Sequence, residues 1–393
     1  MFKYFSFANM TAGFIAVIVG FTSSAVLIFE AATSLGATPQ EISSWLFALG
    51  SSLAATCIGF SLYYRVPILT GWSTPGAALL ASSLAGYTMP EAIGAFLFAS
   101  SLVVLTGVTG IFERITTHIP RALTTAMLAG ILIRFGMNIF TAMQQQFVLI
   151  GAMLITYLIG KRIFPRYVII FVLLIGVLFA ELQGLFHIDS FQFKLATPIF
   201  TFPVFSLSAL ISVGLPLFIV TMTSQNIPGV AVLNSSGYHP PISPLMTCTG
   251  IINFLFAPFG CYSICLAALT AAICTSKEAD QNPENRFKST VFAGLCWLFI
   301  GTFGATIVTL FFAFPNELIL AIAGLALLST IANSLKVALD DEKDREPALI
   351  TILVSASGFT LFGIAPAFWG LLAGILSSML LNWRKTKRVV MAA

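Results

Sequence analysis

Leu215-Pro216-Leu217-Phe218-Ile219-Val220-Thr221-Met222-Thr223-Ser224-Gln225-Asn226-Ile227-Pro228-Gly229 is the stretch whose reading decides the fold. It begins as an apolar helix. It then sets Thr221, Thr223, Ser224, Gln225 and Asn226 at the depth where lipid tolerates polar groups least, and closes on Pro228-Gly229. Polar side chains buried there cost free energy unless they face partners, water or a ligand. Hydrogen bonds to neighbouring helices are the plainer explanation. The density of the run and its helix-breaking end favour one wall of a solute site.

The composition around this stretch is that of an all-α polytopic membrane protein. Apolar residues make up 58% of the 393 and charged residues 9%, against about a quarter charged in soluble domains, and the mean hydropathy is +0.97. About 14 apolar segments lie near the roughly 20 residues that span a bilayer. An even count puts both termini on one side, and Arg384, Lys385, Lys387 and Arg388 make that side cytoplasmic. Of the 19 Lys and Arg, all but Arg134 and Lys194 then fall on inner connections, Lys3, Arg114 and Arg166 among them. Arg134 either snorkels to the interface or lines an anion vestibule.

Other chemistries find little support. The six cysteines lie in apolar segments and read as small packing residues. His118, His187 and His239 sit on separate connections and form no metal set. No nucleophile–base constellation and no ATP-binding loop occurs, so neither an enzyme nor a primary pump is expected. No cofactor, metal or nucleic-acid partner is predicted; the expected surroundings are membrane lipid.

Two segments are interrupted. Val66-Pro67-Ile68-Leu69-Thr70-Gly71-Trp72-Ser73-Thr74-Pro75-Gly76-Ala77 lies in the third (66–87), and Ala257-Pro258-Phe259-Gly260-Cys261-Tyr262-Ser263-Ile264-Cys265-Leu266-Ala267 runs into the tenth (260–275). Each is third in its half of the chain, the halves being divided by the long stretch His187–Phe205. Because each half has an odd number of segments, the second is inverted relative to the first, and paired interruptions at matching positions point to a transporter's binding site. Half-helices starting near Ser73–Thr74 and Cys261–Ser263 would aim free N–H groups and positive dipole ends at the membrane centre, where an anion is favoured. Proline kinks in two continuous helices are the alternative.

These features, with Gly71-Trp72-Ser73-Thr74-Pro75-Gly76 and the run from Leu215 to Gly229, resemble the benzoate/proton symporter family. That family belongs to the fold group of uracil/xanthine permeases and sulfate-type anion transporters. The resemblance spans essentially the whole chain. It implies about 14 transmembrane segments in two inverted repeats. Residues 1–113 (segments 1–4), 206–288 (segments 8–10) and 289–314 (segment 11) would form a core domain. Residues 114–205 (segments 5–7) and 315–393 (segments 12–14 and a cytoplasmic tail) would form a gate domain. It also implies a homodimer in a bacterial-type inner membrane, importing a small aromatic carboxylate with protons.

One departure bears on the substrate. Nucleobase permeases of this fold are expected to carry a glutamate in the eighth segment, and Gln225 stands at the matching position; Ile264 stands where a second acid would fall. A carboxylate at 225 would repel a carboxylate substrate, whereas a neutral amide can donate to it. The expected substrate-binding set is Thr22, Ser23, Ser24, Trp72, Ser73, Thr74, Gln225, Asn226, Phe259, Gly260, Cys261, Tyr262 and Ser263. The hydroxyls and helix ends would hold the carboxylate, while Phe21, Trp72, Phe259 and Tyr262 would pack on the ring. Accumulating an anion against an inside-negative potential costs about 2.3 kcal/mol per charge per 100 mV, so a coupled cation or proton is required. No Asp or Glu lies deep within a segment, and Glu30 and Glu181 sit near outer ends; either the acid is carried with its own proton or a water-filled path reaches Glu30, the candidate proton-coupling residue. A nucleobase or inorganic-anion permease and a passive anion channel are the competing functions.

Overall fold

The computed structural model describes residues 5–110, 121–165, 167–185, 193–268, 270–362 and 364–390. Lys3, Arg114, His118, Arg166 and His187 lie outside the described residues, as do the side chains of Arg121 and of the C-terminal basic run.

The described residues are mostly helical. Its elements are α1 (Phe7–Ser34), α2 (Pro39–Tyr64), β1 (Thr70–Trp72), α3 (Thr74–Ser83), α4 (Met89–Thr109), α5 (Arg121–Gln145), α6 (Phe147–Ile163) and α7 (Val168–Leu182). There follow α8 (Leu207–Ser235), α9 (Ile242–Phe256), β2 (Ile264–Leu266), α10 (Ala271–Thr275), α11 (Phe287–Thr302), α12 (Gly304–Ala313), α13 (Asn316–Leu339), α14 (Arg345–Ser357) and α15 (Pro366–Val390). Among the described residues, 7 helices are long and apolar enough to cross a membrane, or 8 if the bent pair α11–α12 counts as one.

Local chemistry fixes where several helices start. Ser6 with Asn9, Thr38 with Glu41 and Thr88 with Glu91 each close a reciprocal cap on the first turn, and prolines occupy the opening positions of α2 and α4. Inside α8 the ladder widens twice into π turns, Leu210–Gly214 and Met222–Asn226. Each is followed, one residue on, by a proline, Pro216 or Pro228. A proline cannot donate to the preceding turn and its ring crowds the carbonyl there; a widened turn relieves that conflict without breaking the helix.

The two interrupted segments meet as a two-stranded antiparallel pair, with Thr70 opposite Leu266, Gly71 opposite Cys265 and Trp72 opposite Ile264. Backbone hydrogen bonds continue the pairing at both ends, from Ser73 N to Ser263 O (3.0 Å) and from Ala267 N to Leu69 O (2.9 Å). In the first interrupted segment α3 begins at Thr74, with Ser73 as its N-cap. The second corrects the sequence reading: Cys261–Ser263 precede the strand instead of opening a helix, and α10 starts only at Ala271 and has 5 residues. β-Sheet pairing with β1 keeps this stretch extended past the point where its small residues suggested a helix. Segment eleven, read as one run over 289–314, bends by 66° between α11 and α12. At the bend Gly304 sits so close to α2 that a Cβ would lie 3.0 Å from the Leu46 Cβ.

Small residues allow close helix contacts. A Cβ on Gly50 of α2 would come within 2.6 Å of both the Gly301 Cα and the Trp297 carbonyl oxygen of α11. Most buried side chains form one cluster around α2, α3, α4 and α8, and a second cluster joins α6 and α7 to parts of α5 and α13. Val26 of α1 and Phe314 touch both.

Candidate functional site

Where the strand pair, the π turn of α8 and helices α1, α5, α11 and α13 converge, the structure leaves a cavity of about 640 Å³. Every described residue lining it is uncharged. Its exposed members are Ala231, Asn333 and Val337, so the mouth lies toward the ends of α8 and α13.

The polar floor comes from the segment that opened the sequence reading. Within the π turn, Thr223, Ser224 and Gln225 face the cavity. Thr223 Oγ1 donates to Ile219 O (2.8 Å), whereas Ser224 Oγ is buried with no hydrogen-bond partner among the described residues. Asn226 turns the other way: its side-chain oxygen accepts from Leu266 N (2.9 Å), which ties α8 to β2. On the facing side Thr74, in the first turn of α3, lines the cavity at the positive end of a ten-residue helix.

The apolar wall is aromatic. Trp72 and Trp297 meet edge to face with ring centroids 4.7 Å apart. Trp72 Nε1 donates to Ser24 Oγ (2.7 Å), whereas Trp297 Nε1 is buried without a partner among the described residues. Phe21 packs behind Trp72 at 6.0 Å. Buried polar atoms are paired in the large majority of cases. Two buried polar groups without a partner among the described residues, Ser224 Oγ–H and Trp297 Nε1–H, belong to residues that line one cavity.

Of the residues expected from sequence, Ser23, Ser24, Trp72, Thr74 and Gln225 line the cavity. The others lie outside its lining and serve the scaffold. Thr22 donates to Ile18 O, and Ser73 caps α3 while accepting from Thr221. Phe259 packs on Phe200, and Gly260 lies against Trp45. Cys261 Sγ donates to Asn253, Tyr262 Oη donates to Ser73 O (3.2 Å), and Ser263 pairs with Thr221. The late start of α10 explains the shift: Ala267, Ala268 and Thr270, not residues 259–263, carry segment ten into the cavity. Glu30 is not part of the lining. Arg134 faces Gly358, the C-cap of α14, where the helix's negative end favours a cation. It too lies away from the cavity.

The sequence reading missed the opposite wall. Thr124 and Thr125 of α5 and Thr330, Asn333 and Ser334 of α13 line the cavity across from the strand pair. Their signal was present as an adjacent threonine pair in α5 and as polar residues three and four apart in α13.

A helical membrane protein with paired broken segments around an uncharged, partly aromatic cavity is built as a membrane transporter. The chain belongs to the benzoate membrane transport protein family, whose model matches residues 3–380. It is 46% identical over 374 residues to the inner membrane protein YdcO of Escherichia coli (strain K12), covering 95% of this chain and 96% of that one. It is 35% identical over 376 residues to the benzoate membrane transport protein of Acinetobacter baylyi (strain ATCC 33305 / BD413 / ADP1), covering 96% and 95%. The fold is that of the transmembrane domain of the cyanobacterial bicarbonate transporter BicA (TM-score 0.57, 10% identity, 94% of this chain and 97% of that one). Murine Slc26a9, an anion transporter solved in an inward-facing state, is similar (TM-score 0.56, 12% identity, 98% and 70%).

Proposed function

We propose that the protein imports benzoate or a close aromatic carboxylate together with protons across a bacterial inner membrane. The observation that carries this reading is the pairing, in one uncharged cavity, of unsatisfied donors with an aromatic wall. Gln225, Ser224 and Thr74, with the positive end of α3, suit a carboxylate; Trp72 and Trp297 suit a ring. The Acinetobacter relative's name agrees with that substrate.

The transport machinery follows from an architecture of about 14 crossings in two inverted repeats, which we include in the proposal. Its support is a constant spacing: Gly71 and Cys265, 194 residues apart, face each other at the strand crossing. The same shift carries α5 onto α13 and the end of α6 onto the end of α14. The strand pair with α1–α4 and α8–α12 forms the core; α5–α7 and α13–α15 form the gate. Core and gate move against each other, in a homodimer with both termini cytoplasmic. In that orientation the mouth at Ala231, Asn333 and Val337 opens inward.

The test is uptake of radiolabelled benzoate into proteoliposomes under an inward proton gradient, with uracil and sulfate as competitors. Saturable, gradient-driven uptake indifferent to both competitors is expected. Transport of another solute without benzoate would sink the substrate assignment and leave the fold untouched. A finer check comes from Ser224→Ala. Removing a buried hydroxyl that has no partner should leave thermal stability unchanged or slightly raised. Losing a hydrogen bond to a charged ligand, about 1.5–3 kcal/mol, should weaken benzoate binding by about tenfold or more.

A further inference from the structure

Coupling to protons needs a group that titrates, and none lines the cavity among the described residues. The acids of the described helices can be sorted by position. Glu41 and Glu91 are held in the caps of α2 and α4 by hydrogen bonds from Thr38 and Thr88. Glu317 and Glu346 lie in the first turns of α13 and α14, and Glu181 is next to the last residue of α7. Glu30 is the exception among them: it lies inside α1, a full turn before its end, half-buried beside Phe29, which is stacked on Phe311 at 3.8 Å. No ion pair or side-chain hydrogen bond to Glu30 is present among the described residues.

The position of Glu30 on α1 gives this exception a role. Ser23, Val26 and Glu30 are spaced three and four residues apart and share one helix face. Ser23 lines the cavity, and Val26 touches both hydrophobic clusters. Glu30 thus continues the stripe from the cavity along the seam between the two packed bodies, on the side away from the mouth.

The titratable groups brought by the elements packed on α1 are few. α3 carries none; α7 brings Glu181 in its last turn and α13 brings Glu317 in its first, both on Glu30's side of the membrane in the orientation proposed, and α13 brings Lys336 near its other end. α10 brings Cys274, and α11 brings Lys288 and Cys296. α12, which meets α1 through Phe311, has none, and Lys194 is tied through its backbone to Thr306 of that helix. Both lysines on packed helices, Lys288 and Lys336, lie at the ends remote from Glu30, so among the described residues no helix packed on α1 brings a cation to its carboxylate.

Resting on the transport reading above, we infer that Glu30 is the proton-coupling group. It takes a proton from the outer water when the core and gate part on that side. It carries the proton neutral through the seam as they close, and returns it to the inner water after benzoate has left. With benzoate bound, an ionised Glu30 would put a second negative charge in the closing carrier, so closing with substrate is favoured only when Glu30 is protonated, whereas the empty carrier, holding one charge in place of two, resets with Glu30 ionised.

The test compares wild type, Glu30→Gln and Glu30→Asp in proteoliposomes. One assay is benzoate exchange with equal pH and equal substrate on both sides; the other is accumulation driven by an inward proton gradient. Glu30→Gln, locked neutral, should exchange benzoate but fail to accumulate it, and Glu30→Asp should restore part of the accumulation. Wild-type apparent affinity should fall, by up to about tenfold per pH unit on the alkaline side, as one linked proton is withdrawn; the Gln variant should show no such slope. Gradient-driven accumulation by Glu30→Gln at the wild-type level would overturn the assignment of Glu30 while leaving the transporter reading in place. So would loss of exchange and accumulation together, which would make Glu30 structural. Absence of benzoate exchange in the wild type would instead remove the substrate reading and, with it, this inference.

Discussion

Glutamate at position 225 is expected to abolish benzoate transport at neutral pH while leaving the protein folded. Gln225 lines the cavity within the π turn and its side chain makes no hydrogen bond to a described residue, so the isosteric change disturbs no side-chain hydrogen bond of the scaffold. It does place a second negative charge where the substrate's carboxylate would sit. Two unit charges about 4 Å apart at an effective dielectric near 20 repel by about 4 kcal/mol, roughly a thousandfold in affinity. Benzoate exchange measured with the same pH on both sides should therefore vanish near pH 7.5. It should return in part near pH 5, where the new carboxyl is protonated and again donates. Unimpaired exchange at neutral pH would place the carboxylate elsewhere in the cavity.

The second large effect concerns a residue that the sequence assigned to the substrate. Gly260 has φ of 101°, a conformation costly for any side chain, and a Cβ there would overlap the Trp45 ring. Trp45 has no room to retreat: it is 2% exposed and packs on Phe96 and Tyr262. Strain and overpacking together put Gly260→Ala beyond about 4 kcal/mol, the range in which proteins fail to fold. Fluorescence-detected size exclusion should show little monodisperse protein. Trimming the obstacle with Trp45→Ala in the same chain should recover part of the yield, because the two sites are coupled by contact. A well-folded Gly260→Ala with impaired benzoate binding would return the residue to the site.

Gly260 also shows where the sequence stopped being informative. The interruptions themselves were legible, because Pro and Gly in an apolar run have few structural meanings. Their register was not. Ser73 and Thr74 announce a helix start through cap chemistry, and the structure starts α3 there. Ala267-Ala268 carries no such signal, and β2 is fixed by its partner strand, a long-range contact that no local pattern encodes. The π turn was legible as a polar run yet not as a widened turn. Its geometry sends Thr223, Ser224 and Gln225 one way and Asn226 the other. The lining contributed by α5 and α13 was hidden for another reason. Scattered threonines in apolar spans become meaningful only once two distant helices face the same space.

The widened turn at Met222–Asn226 has a consequence for how such a site changes over generations. A π turn holds one residue more than the α-helical ladder around it. In an uninterrupted α-helix an in-frame gain or loss of a single codon rotates everything beyond it by about 100°, whereas at a π turn the change is taken up locally as the turn tightens or widens. The scaffold ends, capped and packed far from the turn, stay where they are. A lineage can therefore swap which of residues 223–226 looks into the cavity in one genetic step, without passing through an unfolded intermediate sequence. Selectivity at a site built on such a turn can change by an indel as well as by a substitution.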